Sequence, residues 1–99
     1  MVRHIVMWKL KEEAEGRGKL ENARIIAEML KNLVGRIPGL IELEVGINEN
    51  GGEYDAVLVS LFESMDALHA YDTHPEHMKV RAFVSTVRET LVSADYTLS

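Results

Sequence analysis

The sequence predicts one α+β domain, a four-stranded antiparallel sheet with its helices on one face. Three observations predict it. Apolar residues recur at every second position in four stretches and at helical spacing in the stretches between them. Those stretches run in the order strand, helix, strand, strand, helix, strand. The strands are apolar on both faces, so part of the sheet lies beyond what two helices can cover.

Residues 2–10 alternate as a strand, with Val2, His4, Val6, Trp8 and Leu10 on one face and Arg3, Ile5, Met7 and Lys9 on the other. Residues 11–18 are charged and contain two glycines, which reads as a solvated connection. From about Lys19 to Arg36 the period becomes helical, through Leu20, Ala23, Ile26 or Ala27, Leu30, Leu33 or Val34, and Ile37. Gly35 and Pro38-Gly39 stop that helix.

Leu40 to Ile47 reads as a second strand and Tyr54 to Phe62 as a third. Between them, Asn48-Glu49-Asn50-Gly51-Gly52 is a hairpin signal, because Asn and Gly tolerate positive φ. Ser64 suits the N-cap of a short helix and Pro75 the first turn of another. The chain then passes from helix into a last strand between Thr86 and Tyr96, ending at Ser93–Leu98. The order β-α-β-β-α-β is the ferredoxin-like plan. Its uncovered sheet face would leave a large apolar patch in water, and a second copy packed on it by two-fold symmetry would bury that patch.

Composition narrows the function. At 99 residues the chain is one domain, 1–99, with no room for a second core. The absence of cysteine excludes disulfides, thiol nucleophiles, Cys-ligated zinc and iron–sulfur clusters. Together with an N-terminus that lacks a leader pattern, it favours a reducing, cytoplasmic setting. No stretch approaches the roughly 20 apolar residues of a membrane span. Net charge is −5 and the eleven basic residues are scattered, so no basic face for nucleic acid is expected.

The residues able to carry chemistry gather in two places. His69, Tyr71, His74 and His77 fall within nine positions, and His74 and His77 are three apart across the first turn of the helix begun by Pro75. His4 shares a strand face with Trp8. One reading is a pocket between the open sheet face and these helix ends, where a neutral His acts as general base and Tyr71 polarises a carbonyl, without a cofactor. His4, Trp8 and His74 would line it. The same residues also have ordinary structural uses: a His beside Pro caps a helix, Tyr sits at core edges, and a strand His is often a hydrogen-bonded core group. Metal is disfavoured, because helical zinc pairs sit at i, i+4 and no HExxH pattern exists. No glycine-rich phosphate loop and no Gly-x-Ser-x-Gly elbow occurs.

Val2-Arg3-His4-Ile5-Val6-Met7-Trp8-Lys9-Leu10-Lys11, Tyr54-Asp55-Ala56-Val57-Leu58-Val59, Tyr71-Asp72-Thr73-His74-Pro75-Glu76-His77 and the closing Asp95-Tyr96 resemble the stress-responsive dimeric α+β barrel family. The resemblance runs nearly end to end. It implies a ferredoxin-like protomer and a homodimer whose sheets form a barrel. It also implies roles: a polyketide cyclase of the family uses a Tyr and a His at the positions of Tyr71 and His77, with His4 lining the pocket. A third-strand pocket histidine of that enzyme is replaced here by Ala56, which separates this chain from the cyclase's substrate. The expected partners are therefore a second copy and a small apolar or aromatic carbonyl compound. The alternative is a non-catalytic stress or assembly protein whose barrel is only its dimer core.

Overall fold

The computed structural model of the protein describes residues 1–99. Nine elements follow in order: β1 (Val2–Leu10), β2 (Glu13–Ala14), β3 (Arg17–Gly18), α1 (Lys19–Lys31), β4 (Leu40–Ile47), β5 (Ala56–Phe62), α2 (Met65–Asp72), α3 (Pro75–Val87) and β6 (Arg88–Thr97). The four long strands form one sheet in the order β4-β5-β1-β6, every neighbour antiparallel. This is the expected ferredoxin-like sheet, with β1 at its centre.

Alternation sorts the sheet into two faces. Val2, Val6, Trp8 and Leu10 of β1 and Ala56, Leu58 and Phe62 of β5 are buried beneath the helices, with His4 and Ser60 among them. Ile26 and Leu30 of α1, Leu68 and Tyr71 of α2, and Val80, Val84 and Val87 of α3 close the core from above. Fully burying each large apolar side chain contributes about 1.5–3 kcal/mol. On the opposite face Ile5, Val57, Val59 and Leu61 are half-buried and Met7 is exposed, with no helix over them.

Three details depart from the sequence reading. Regular α1 ends at Lys31, not Arg36, and tighter turns follow, in which Leu33 N–H donates to Leu30 and Arg36 N–H to Leu33. Those turns keep a near-helical spacing, so Leu33 and Ile37 stay buried although the helix has stopped. The connection 11–18 is a small hairpin of β2 and β3, turned by Glu15 and Gly16 at positive φ. Its anchor is Asn22, fully buried, whose side-chain amide donates to the carbonyls of Ala14 and Arg17 and accepts from Arg17 Nε.

The loop after β4 is longer than a tight hairpin and delays β5 to Ala56. Asn48 holds it together, donating to the carbonyls of Gly51 and Tyr54. Asp55 is spent on anchoring: its carboxylate accepts from Leu10 N–H at 2.7 Å and pairs with Lys19 at 3.3 Å. As expected, the chain passes from helix to strand within residues 86–96: β6 begins at Arg88, directly from the end of α3.

Both expected caps are present. Ser64 Oγ accepts from Ala67 N–H, and His74 Nδ1 accepts from Glu76 N–H at 3.1 Å, just before Pro75. Gly39, at φ 85°, lies so close to α2 that a Cβ there would stand 2.5 Å from Ala67 Cβ. This glycine lets α2 settle onto the sheet. No helix is long and apolar enough to cross a membrane.

Candidate functional site

Helix α3 leans on α1 and makes few contacts with β6. The sheet's last strand is therefore left largely open to solvent. Between α3 and β6, floored by β1, lies a cleft of about 440 Å³ with a mostly apolar lining. His4, Val6 and Trp8 supply the floor, Tyr71 and His77 one end, and Leu91 and Ser93 the strand side. The structure thus gathers His4, Trp8, Tyr71 and His77, four of the five residues expected at a site. It does so on the helix-covered side of the sheet, not on its open face as the sequence reading placed the pocket. The reason is alternation: His4 and Trp8 share the inward set of β1 with Val2, Val6 and Leu10.

Tyr71 comes from the last turn of α2 and is fully buried. Its ring stacks on His77 with centroids 3.8 Å apart and meets Phe62 edge-on at 4.9 Å. The hydroxyl is enclosed and has no hydrogen-bond partner in the protein. Burial, and secondarily the charge of Asp72, push this phenol well above its ordinary range, so it stays protonated and able to donate.

His77 is half-buried in the first turn of α3. Its Nδ1 lies 3.0 Å from the Tyr71 backbone carbonyl. A carbonyl only accepts, so Nδ1 carries the proton and donates, which leaves Nε2 with a lone pair. Burial lowers the imidazole's pKa, an effect only partly opposed by the backbone carbonyls of Asp72 and Tyr71. The ring is therefore neutral at pH 7 and disposed to accept a proton.

His4 stands on the central strand directly opposite Asp95 of β6, and the Asp95 carboxylate accepts a hydrogen bond from its Nδ1. Ser60 Oγ donates to the His4 carbonyl at 3.2 Å, fixing the same strand from the other side. The His4 ring lies edge-on to Tyr71 at 6.1 Å and to Phe62 at 6.2 Å. Asp95 entered the sequence reading only as part of the family resemblance, not as a site residue. Only the β1–β6 register reveals it, because Asp95 is 91 positions from its partner.

His74 goes elsewhere. Its Nδ1 is occupied as the N-cap of α3, and it does not line the cleft. His69 is exposed on α2. These histidines do not gather with acidic residues into a set of three potential metal ligands. Arg81 of α3 and Arg88, the first residue of β6, which the sequence reading did not place at a site, also line the cleft.

The family model of the stress responsive A/B barrel domain matches residues 2–98. A stress-response A/B barrel domain-containing protein of Arabidopsis thaliana is 26% identical over 97% of this chain. The chain spans 46% of that relative, about half its length. Among solved structures, a dimeric protein of unknown function with a ferredoxin-like fold from Bacteroides fragilis is 28% identical, with TM-score 0.79, over 98% of this chain and 95% of the other. A dimeric ferredoxin-like protein of unknown function from Jannaschia is 25% identical, with TM-score 0.78, over 98% of each chain.

Proposed function

The chain belongs to the stress-responsive A/B barrel domain family, and from that membership and the shape of its cleft we propose that it binds a small, largely apolar carbonyl compound beside Tyr71 and His77. One observation carries the proposal. The Tyr71 hydroxyl is a buried donor without an acceptor, and Tyr71 is among the residues that line a mostly apolar cleft. Leaving such a group unpaired costs about 1–3 kcal/mol. A ligand oxygen reaching it would supply the missing acceptor, and the apolar walls would hold the rest of the molecule.

The chemistry available to the pair is proton transfer next to that carbonyl. His77 Nε2 would take a proton from the adjacent carbon, and the C–H electron pair would become the C=C bond of an enolate. The negative charge would collect on the carbonyl oxygen, where Tyr71 O–H donates to it. The proton held on His77 would then return to carbon or pass to another atom of the ligand. His4, oriented by Asp95, and Trp8 line the cleft around the ligand.

The protein works as a homodimer in this proposal, with the second copy on the open sheet face. Ile5, Met7, Val57, Val59 and Leu61 form that face, and both solved relatives described above are dimeric. The competing account is a dimer with no ligand at all, and the enclosed state of the Tyr71 hydroxyl speaks for it.

A thermal-shift screen of aryl and alkyl ketones on wild type and Tyr71→Phe separates the two, since a ligand raises apparent stability by mass action. The proposal expects ketones that stabilise wild type and lose at least about tenfold in affinity in the variant. Ketones that bind both proteins equally would remove the Tyr71 hydroxyl from the site, and a screen in which none binds wild type would leave the assembly account standing.

A further inference from the structure

The cleft wall carries two positive charges that the fold does not use. The ion pairs of the chain join Arg3 to Glu42, His4 to Asp95, Lys9 to Glu89, Lys19 to Glu12 and Asp55, and Lys79 to Glu76. Arg81 and Arg88 take part in none of them, yet both line the cleft. They sit seven residues apart along α3 and its C-cap, about two helical turns, on one stripe with Ser85.

Arg81 spends one nitrogen on the Asp72 backbone carbonyl at 3.3 Å and on Met78 Sδ. A guanidinium has five N–H donors, so most remain free. Asp72 is the only acidic residue of the cleft wall, and its carboxylate does not pair with either arginine. The lining therefore sets two arginines against one aspartate, in a chain of net charge −5.

Two arginines outside any ion pair, in the lining of a mostly apolar cleft, suit an anion at one end of an otherwise apolar molecule. The planar fork of Arg matches a carboxylate in two parallel hydrogen bonds. We infer that the ligand is an apolar oxo acid, bound with its carboxylate between Arg81 and Arg88 and its ketone directed toward Tyr71. This assignment rests on the cleft reading given above and narrows it to a chemical class.

The test is isothermal titration calorimetry on the full chain with 4-oxo-4-phenylbutanoic acid and its methyl ester, which share the aryl ketone and differ in the charge. Wild type should bind the acid at least about tenfold more tightly than the ester. That preference should shrink with added salt, as the partly exposed arginines require. In the double variant Arg81→Gln, Arg88→Gln the two compounds should come within about twofold of each other. If the double Gln variant loses its native circular dichroism, Arg81→Lys, Arg88→Lys takes its place. It should keep a salt-sensitive preference that is smaller than wild type's, because the charge remains and the fork is gone.

An acid that binds wild type no better than its ester overturns the inference, as does a preference that survives the neutral double variant or a Lys variant indistinguishable from wild type. If the ester binds, is weakened by Tyr71→Phe, and the acid has no advantage, the cleft reading stands and this assignment alone fails. If neither compound binds at millimolar concentration, both fall together.

Discussion

The two faces of the sheet are built from the same alternating strands and put to different uses. On the inner face, polar groups stand in the middle of the apolar surface, and each is tied to a partner across a strand. His4 bonds to Asp95 and Ser60 to the His4 carbonyl. On the outer face the charges keep to the edge. Arg3 pairs with Glu42 across Leu61, and Lys9 pairs with Glu89 near the other end. Between them lie Ile5, Met7, Val57 and Val59. An apolar centre with a charged rim is the makeup of a protein–protein interface, whereas buried polar groups on fixed partners are the makeup of a site. Hydrophobic alternation alone shows two greasy faces; the position of the polar residues tells them apart.

The largest effect tests the outer face. Ile5, Val57, Val59 and Leu61 are already half-buried and Met7 is exposed, so completing their burial against a second copy would contribute roughly 5 kcal/mol. That is a large share of the whole stability of a small domain, about 5–15 kcal/mol. Folding and pairing should be coupled, with a melting temperature that rises with protein concentration. Val59→Asp puts a charge in the centre of that face and should give an unstable or aggregating chain. Sedimentation showing a well-folded monomer at micromolar concentration, for wild type or for Val59→Asp, would break the comparison at its root.

The next effect belongs to the inner face and to the seating of α2. Gly39→Ala adds a Cβ 2.5 Å from Ala67 Cβ at a residue whose φ is 85°. Left-handed backbone costs about 1–2 kcal/mol for a residue with a Cβ, and overpacking typically adds about 1–3 kcal/mol. Urea denaturation should show a loss of about 2–5 kcal/mol, the sum of those two costs. Because α2 carries Tyr71, ketone binding should weaken as well. A variant as stable as wild type would mean that α2 is free to shift and does not hold Tyr71 in place.

Tyr71→Phe should change neutral-pH stability little or raise it, since it deletes an unpaired buried hydroxyl and keeps the ring. Its signature is alkaline. The folded phenol titrates well above the ordinary value near 10, so its protonated form is favoured in the folded state. That contribution is complete below about pH 10 and is lost as pH rises beyond it. Wild type should therefore lose more stability than Tyr71→Phe between pH 9 and pH 11 by circular dichroism. Parallel losses would show that the hydroxyl is not enclosed in solution.

Most of the fold was legible because its signals are local. Period-two and helical spacing, Ser64 before a first turn, and Pro75 at the start of α3 need only neighbouring residues to be read. The β2–β3 hairpin was not legible, since its anchor Asn22 looks like a surface polar residue until the carbonyls of Ala14 and Arg17 are brought around it. The helical spacing of Leu33 and Ile37 overstated α1 for a related reason: successive tight turns bury the same side as a helix does. The family resemblance carried His4, Tyr71 and His77 to the site, but not the side of the sheet on which the cleft lies. Asp95, Arg81 and Arg88 depend on strand register and on how α3 tilts, and no local pattern encodes either.

The smallest effect distinguishes two histidines of the same helix turn. His74 holds the α3 N-terminus through Nδ1, while His77 faces the cleft with a pKa lowered chiefly by burial. A lowered folded pKa means that the neutral ring is favoured in the folded state. His77 therefore contributes stability above its unfolded pKa of about 6.5, and that contribution is lost as pH falls through the lower folded value. The ring is half-buried, so solvent discounts the effect, and a difference of about 1–3 °C in melting temperature is the scale to look for. Wild type should lose that much more than His77→Gln between pH 7.5 and pH 5. His74→Gln should instead lower the melting temperature through the loss of the α3 cap. Ligand binding sharpens the contrast. Protonating His77 should weaken ketone binding in wild type as pH falls below 6.5, and His77→Gln should flatten that profile while His74→Gln leaves it in place. A profile that follows His74 instead would assign the titrating group to the helix cap and remove His77 from its role as base.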